Sequence, residues 1–225
     1  MNLLTISKKA ASRLAILFCI VVSGCAESEI SVEQIHPAQC FPSEHENSRR
    51  TNTATGRAPT TIRLLDGTER NLFNDESTRL VVVVFTATDC PIANAYLPKL
   101  ERLQADYRSS SIEILLVHSN QETDVETARE HAKHFQISLP IVMDPAQTLA
   151  KKLNAKVTPE AMVISRDKEI PVYRGAIDNL FADFGKKRRF ATKHYLEIAI
   201  ESVLSGNEVA IPKTNPIGCF ISYDD

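Results

Sequence analysis

Strand-like and helix-like spacings of apolar residues alternate along most of the chain. Residues 80–85, LVVVVF, are continuously apolar and mostly β-branched, which predicts a strand buried on both faces. From Ile92 to Tyr107 the apolar residues recur every three or four positions, which predicts a helix with one buried face. A second buried strand at 112–119 and a second helix at 124–136 repeat this alternation.

The later part of the pattern adds a hairpin and a closing helix. A short strand at 140–144 and a short helix at 146–154 precede two strands, AMVIS and IPVYRGA, which form a hairpin around Asp167. Residues 192–206 have the spacing of a last helix. Strands that alternate with helices in this order predict an α/β fold, a three-layer α/β/α sandwich.

The first residues have the pattern of an export signal. Three basic residues precede a nine-residue apolar run at 14–22, which is shorter than the about 20 apolar residues needed to span a bilayer. The sequence VSGC resembles the lipobox of bacterial lipoproteins, which implies cleavage after Gly24 and a lipid on Cys25. An ordinary signal cut nearby is the alternative. We expect a lipid-anchored protein of the cell envelope that faces the periplasm, and Ala26 after the cysteine favours the outer membrane.

The chain therefore divides into four parts. Residues 1–24 are predicted to be the lipoprotein signal peptide, and residues 25–58 the lipidated N-terminus with a polar tether. Residues 59–206 form the folded domain, and 207–225 a C-terminal tail that carries Cys219.

The charge of the chain gives no sign of nucleic-acid binding. The formal net charge is −2, and no basic stripe with interleaved aromatic residues is present. The short basic run 186–189, KKRR, predicts a solvated loop. Removal of the signal takes away three basic and no acidic residues, which leaves 23 basic and 28 acidic residues and a formal charge of −5.

Three cysteines remain in the mature chain apart from the lipidated one: Cys40, Cys90 and Cys219. An odd number in an oxidising compartment means that at least one is free or pairs outside the chain.

Cys90 lies where the first buried strand gives way to a helix, and ligand sites in open α/β sheets form beyond that end of the strands. Pro91 suits the first helical position, so Cys90 is the predicted N-cap, with free N–H groups directed at its sulfur. This position lowers the pKa of a thiol, although the neighbouring Asp89 opposes a second negative charge. The alternative is an inert buried thiol.

Four segments together resemble the thioredoxin-like superfamily, and more closely its redoxin branch, grouped with alkyl hydroperoxide reductase and thiol-specific antioxidant proteins. They are VVVVFTATDCPIANAYLPKL, VTPEAMVI, YRGAIDN and TNPIGCFI, and the likeness covers about residues 60–220. The resemblance implies a mixed central sheet, antioxidant or thiol oxidoreductase activity, and no cofactor. It also implies a cis peptide bond at Pro159, with Thr158, Pro159 and Pro91 beside the groove that receives the partner chain.

Several positions depart from the patterns of related families. Ala93 replaces the second cysteine of a C-x-x-C pair, so the thioredoxin cycle cannot run within the motif. Peroxiredoxins have a threonine where this chain has Ala87, and an arginine just before the strand that AMVIS matches, where this chain has none. Without that cation, developing charge on a peroxide oxygen lacks a stabilising group.

The residues around Cys90 do not make up the metal site of a related family. Copper chaperones of the Sco type have a second cysteine where this chain has Asn94. His118 could lie near the same sheet edge, but one cysteine and one histidine make a weak soft-metal pair, so no metal site is predicted. His131 is predicted to lie on a helix surface.

These observations predict a periplasmic, membrane-anchored thiol–disulfide oxidoreductase with Cys90 as its nucleophile. Its partners would be periplasmic thiol or disulfide proteins, or a disulfide reductase. Cys219, in a tail stiffened by prolines, is the preferred resolving thiol; the alternatives are that Cys219 is a buried anchor of the tail or forms a disulfide with Cys40. The alternatives are a peroxiredoxin-like thiol peroxidase, and a non-catalytic adaptor or copper-handling module that would use the same groove.

Overall fold

The computed structural model describes residues 60–73, 76–168 and 170–223. The predicted signal peptide, Cys25, Cys40 and the tether lie outside these residues. In the described part, no helix is both long enough and apolar enough to cross a membrane.

Within the described residues, short strands and four helices follow one another in the order that the sequence predicts, with several additions. In chain order they are β1 (Thr61–Arg63), β2 (Glu69–Asn71), β3 (Leu80–Thr86), α1 (Pro91–Asp106), β4 (Ile112–His118), α2 (Val125–His134), β5 (Ile141–Met143), α3 (Thr148–Leu153), β6 (Val157–Thr158), β7 (Glu160–Ser165), β8 (Tyr173–Gly175), β9 (Phe181–Asp183), β10 (Lys186–Lys187), α4 (Tyr195–Leu204) and β11 (Cys219–Phe220).

Five of these strands form the central sheet, in the order β5-β4-β3-β7-β8. Strands β3, β4 and β5 run parallel, whereas β7 is antiparallel to both β3 and β8. Every residue of β3 is buried, as its unbroken apolar run predicts. The sheet is therefore mixed, and the chain has the α/β, thioredoxin-like fold that the sequence predicts.

The two faces of the sheet pack against different layers. One face, with Val82, Val84 and Leu116, contacts α1, α2 and α4. The other face, with Val83 and Phe85, contacts α3 and the β1–β2 hairpin. The parallel strands end together at one edge of this sandwich, where residues from the β3–α1 loop meet the tail.

Some boundaries and elements differ from the sequence prediction. The closing helix α4 begins at Tyr195 and not at 192, because residues 192–193 hydrogen-bond to the Asn179 side chain instead of continuing a helix. The sequence predicts a loop at the basic run 186–189, but β9 and β10 form a hairpin there, with side chains that remain exposed. The tail also contributes a strand, β11, which pairs antiparallel with β6.

Candidate active site around Cys90 and Cys219

Cys90 caps the N-terminus of helix α1 at the end of the β3–α1 loop. Its backbone is extended, Pro91 takes the first helical position, and its Sγ accepts a hydrogen bond from the N–H of Ala93 at 3.5 Å. This is the N-cap geometry that the sequence predicts. The side chain is fully buried, whereas Pro91 beside it is exposed.

The edge of β6 lies directly against the Cys90 sulfur. The neutral thiol donates a hydrogen bond to the carbonyl oxygen of Thr158 at 3.0 Å. The peptide bond between Thr158 and Pro159 is cis, and both residues are buried. The predicted groove residues therefore lie together with Cys90 at one point of the fold.

The C-terminal tail covers this groove. Cys219 is the register partner of Thr158, and Phe220 is the register partner of Val157. Gly218 crosses so close to the Thr158–Pro159 bond that a Cβ placed on it would lie 2.0 Å from the Thr158 carbonyl oxygen. Only glycine permits this approach between two backbones.

Three further hydrogen bonds hold the tail residues that follow β11. The N–H of Ile221 donates to the Lys156 carbonyl at 2.9 Å, and the Tyr223 hydroxyl donates to the Ala155 carbonyl at 2.8 Å. The buried amide of Gln147 donates to the Ser222 carbonyl at 2.6 Å.

The result is that two free cysteines, 129 positions apart in sequence, lie side by side. Burial raises the pKa of the Cys90 thiol, but hydrogen bonds from the Cys219 thiol, the Ala93 N–H and Thr158 outweigh it and leave the pKa below its ordinary value. Burial, the hydrogen bond to Cys90 and the charges of Cys90 and Asp89 raise the pKa of Cys219 to about 12.

The pKa values of the two thiols are shifted in opposite directions, which determines which thiol ionises first. The first proton leaves Cys90, and Cys219 keeps its own and donates it to the Cys90 thiolate. On ionisation Cys90 loses its hydrogen bond to the Thr158 carbonyl, which no longer finds a donor there. The sequence predicts that Asp89 opposes the Cys90 thiolate. In the structure the charge of Asp89 instead raises the pKa of Cys219, the thiol that stays protonated.

A cavity of about 190 Å³ opens beside Cys219. Its wall includes Thr86, Asp89, Asn120 and Phe220. The tail thiol is partly exposed, whereas Cys90 is enclosed. A molecule that approaches from solvent therefore meets Cys219 before it meets Cys90.

Residues 57–173 match the AhpC/TSA family, and this range is more than half of the chain. The chain belongs to the AhpC/TSA family. Cys90 and the cis-proline segment lie inside the matched range, and Cys219 lies beyond it.

Other comparisons agree with this family. The chain is 26% identical over 90 residues to thiol-disulfide oxidoreductase ResA of Halalkalibacterium halodurans, a match that covers 40% of this chain and 50% of ResA. The chain thus matches about half the length of this curated relative.

Two solved structures share the fold. A hypothetical protein from Sinorhizobium meliloti has a TM-score of 0.65 at 23% identity, covering 74% of this chain and 92% of its own. An uncharacterized conserved protein from Geobacillus kaustophilus has a TM-score of 0.64 at 25% identity, covering 74% and 89%.

In this AhpC/TSA protein a buried carboxylate ties the Cys90 helix to the segment after β8. Asp178 accepts a hydrogen bond from the Tyr96 hydroxyl at 2.6 Å and forms an ion pair with Lys99 at 2.7 Å. Lys99 also contacts Glu197 of α4 at 2.8 Å. Burial and the hydrogen bond to Asp178 raise the pKa of Tyr96, so its hydroxyl stays protonated. The motif YRGAIDN indicated this aspartate in the sequence, but not its partners.

The prediction that His131 lies on a helix surface is wrong. The stripe of α2 that faces the sheet contains Ala128 and His131, and His131 is only 7% exposed. Its Nε2 lies 2.8 Å from the Asn94 Oδ1, and Asn94 donates to the Thr88 carbonyl at 2.9 Å. Asn94 thus links this histidine to the loop that precedes Cys90.

His118 lies at the end of β4, as predicted, and is almost completely buried against the His131 ring. Burial, with a smaller contribution from His131, lowers the pKa of His118 to about 4. Among the described residues, no three His, Cys, Asp or Glu side chains are grouped so that they could hold a metal ion.

Proposed function

We propose that the chain is a thiol–disulfide oxidoreductase in which Cys90 is the nucleophile and Cys219 is the resolving thiol. The observation that carries this proposal is the position of Cys219 beside Cys90, where a tail strand occupies the cis-proline groove. The missing second cysteine of the C-x-x-C pair is thereby replaced by one from the far end of the chain.

The reaction begins with the thiolate of reduced Cys90. It attacks one sulfur of a partner disulfide, forms a mixed disulfide and releases the other partner sulfur as a thiolate. Cys219 gives its proton to that released thiolate and attacks the Cys90 sulfur, which expels the second partner sulfur. The partner gains two electrons, and the two cysteines lose two electrons and become one disulfide. The same steps in reverse oxidise a partner dithiol.

Access to Cys90 requires the tail to move. Cys90, Thr158 and Pro159 are buried, and β11 takes the backbone edge of β6 that a partner segment would use. The tail segment after Gly218 is held there by a two-residue strand and a few hydrogen bonds, so a partner can displace it while residues 212–214 stay paired with Arg174 of β8. When the partner leaves, the tail returns with its thiol in position.

We also propose that the protein is exported and anchored by a lipid on Cys25, with the redox domain facing the periplasm. The basic start, the short apolar run and VSGC support this placement. Its partners would then be periplasmic proteins that carry thiols or disulfides, or a disulfide reductase.

Peptide mapping tests the cysteine pair. After mild oxidation, the wild-type chain should yield a peptide that links Cys90 to Cys219, with Cys40 open to alkylation. The variants Cys90→Ser and Cys219→Ser should both lose disulfide reductase activity towards a disulfide-bonded peptide, and Cys219→Ser should accumulate a mixed disulfide on Cys90. A 40–219 linkage with Cys90 unmodified would refute internal resolution by Cys219.

A thiol peroxidase is the second candidate, because membership of the AhpC/TSA family favours it. The site gives it little electrostatic support, since Arg174 of the neighbouring strand β8 is engaged by Glu160 and by the carbonyls of Leu153 and Asn154. Rapid oxidation of Cys90 by stoichiometric hydrogen peroxide, followed in a stopped-flow instrument, would favour the peroxidase over the oxidoreductase.

A further inference from the structure

The β9–β10 hairpin and the three residues after it, 181–190 in all, form an exposed basic and aromatic surface, which we name the basic hairpin. Phe184 lies at its tip and is 56% exposed, and Phe190 is 66% exposed. Gly185 turns the chain at the tip with a positive φ of 69°. Two exposed aromatic side chains within one short basic segment are more informative than a single exposed apolar residue, because clustered apolar surface marks interaction sites.

The basic hairpin concentrates positive charge on an otherwise acidic protein. It carries Lys186, Lys187, Arg188 and Arg189 against one acidic residue, Asp183, whereas the mature chain outside it has a formal charge of −8. Lys186 contacts Asp183 at 3.2 Å, and both side chains are exposed, so this pair neutralises little. Neither arginine has an ion pair with any described residue.

We propose that the basic hairpin docks on the surface of an anionic phospholipid bilayer, with Phe184 at the level of the lipid headgroups and the four basic side chains on lipid phosphates. This docking goes beyond the redox function and rests on the proposed membrane anchor. Aromatic side chains favour the membrane interface, and lysine or arginine near an anionic leaflet adds attraction that salt screens. An acidic protein surface would match the charge as well, but the bilayer is favoured because a chain anchored at Cys25 is already held beside it.

The chain length permits this contact. The 34 residues between Cys25 and Thr60 span at most about 120 Å, so a lipid on Cys25 keeps the domain within reach of the bilayer. A contact that is weak in free solution then becomes significant, because the anchor raises its effective concentration.

Docking would also orient the redox site. The base of the basic hairpin contacts the Cys90 helix, since the rings of Phe181 and Tyr96 are 5.6 Å apart. Lys187 lies over the same Phe181 ring at 5.7 Å. A docked hairpin would therefore fix the orientation of α1, and of Cys90 at its N-terminus, relative to the membrane.

The absence of tryptophan from the sequence permits a direct test. The full chain carrying Phe184→Trp, purified from membranes, is reconstituted with phosphatidylglycerol or with phosphatidylcholine vesicles, each with and without brominated acyl chains. Phe220→Trp is the matched control, because Phe220 is 84% exposed but lies on the tail. Because the Phe184→Trp chain has one tryptophan, its emission reports the surroundings of the hairpin tip and not those of the lipid anchor.

We expect the Phe184→Trp emission to shift to shorter wavelength and to be quenched by brominated phosphatidylglycerol, and the Phe220→Trp emission to stay unchanged. Replacing Lys186 and Lys187 by Gln should lower the ratio of docked to undocked hairpin about 30-fold, at about tenfold per 1.4 kcal/mol and about 1 kcal/mol per cation. The same change at Lys151 and Lys152, which are exposed on α3, should leave the ratio unaltered.

Three results would overturn the proposal. The Phe184→Trp emission could remain that of a solvated residue in phosphatidylglycerol vesicles. It could shift equally in phosphatidylcholine or in the Lys186 and Lys187 variant, which would exclude recognition of the anionic surface. It could also shift without vesicles as protein concentration rises, which would assign the hairpin to contact between copies of the chain.

Discussion

Replacing Gly218 by alanine should separate the tail from the groove without touching either cysteine. The new Cβ would lie 2.0 Å from the Thr158 carbonyl oxygen, 2.6 Å from its carbon and 3.0 Å from the Pro159 nitrogen. All three atoms belong to the backbone at the end of β6 and the start of its link to β7, which is fixed in the fold, so the tail must move. The tail hydrogen bonds made by Ile221, Gln147 and Tyr223 are worth about 1 kcal/mol each, so about 3 kcal/mol sets the scale of the effect.

Alkylation of Cys90 measures this change directly. In the reduced wild-type chain the buried thiol reacts only when the tail opens. If the clash removes the about 3 kcal/mol that holds the tail closed, the open population, and with it the alkylation rate, should rise about 100-fold. Formation of the Cys90–Cys219 disulfide should slow in the same variant, because the tail thiol is no longer held beside its target.

Gly67→Ala is the matched control. Gly67 has a φ of 90° in the turn between β1 and β2, and no atom lies within 4 Å of a Cβ placed there. This change should lower stability by about 1 kcal/mol through backbone strain and leave the Cys90 alkylation rate unchanged. If Gly218→Ala also leaves that rate unchanged while the chain stays folded, the tail does not control access to Cys90, and the proposed displacement step fails.

Four further predictions follow from the anchor, the groove and the buried charges. Cys25→Ala should release the protein from membranes or leave it uncut, which cell fractionation and mass spectrometry would show; a soluble, unmodified wild type would contradict the anchor. In the wild-type chain, where the Cys219 thiol donates to the Cys90 sulfur, Cys90 should titrate with a pKa below that of a free thiol, followed by the ultraviolet absorbance of the thiolate; a pKa at or above that of a free thiol would contradict this. Pro159→Ala should slow exchange with a disulfide peptide by more than its loss of stability in urea accounts for; equal losses would argue against a groove role. The pKa of His118 is about 4 in the folded chain and 6.5 in the unfolded chain, so the unfolded chain binds a proton first as pH falls. The free energy of unfolding should therefore decrease by about 3 kcal/mol between pH 6.5 and pH 4. Urea titrations of His118→Leu should show a weaker dependence on pH.

The sequence was sufficient for the central sheet because its strands are buried on both faces. A run such as 80–85 has no other stable location than between two layers, and the regular spacing after Ile92 leaves one face for α1. The N-cap at Cys90 was also predictable, since Pro91 marks the first turn of a helix.

The elements that the sequence did not reveal are those made by contact between distant segments. Strands β6 and β11 have two residues each, too few for any periodicity, and each exists because the other supplies its hydrogen bonds. The burial of His131 depends on which side of α2 meets the sheet, and polar residues carry no apolar signal of that choice. The sequence left several positions open for Cys219, and its proximity to Cys90 follows from the pairing of β11 with β6.

The distance in sequence between the two cysteines has a consequence for biogenesis. A chain emerges from the ribosome at about 5–20 residues per second, so Cys219 follows Cys90 by roughly 6–26 seconds. The last 61 residues of that interval, from Thr158 to Cys219, take about 3–12 seconds, and in this time the sheet can fold around Cys90 while the β6 edge has no tail paired with it. The nascent protein therefore passes through a stage with an uncovered reactive cysteine, in which disulfide exchange with unrelated chains meets the least steric resistance.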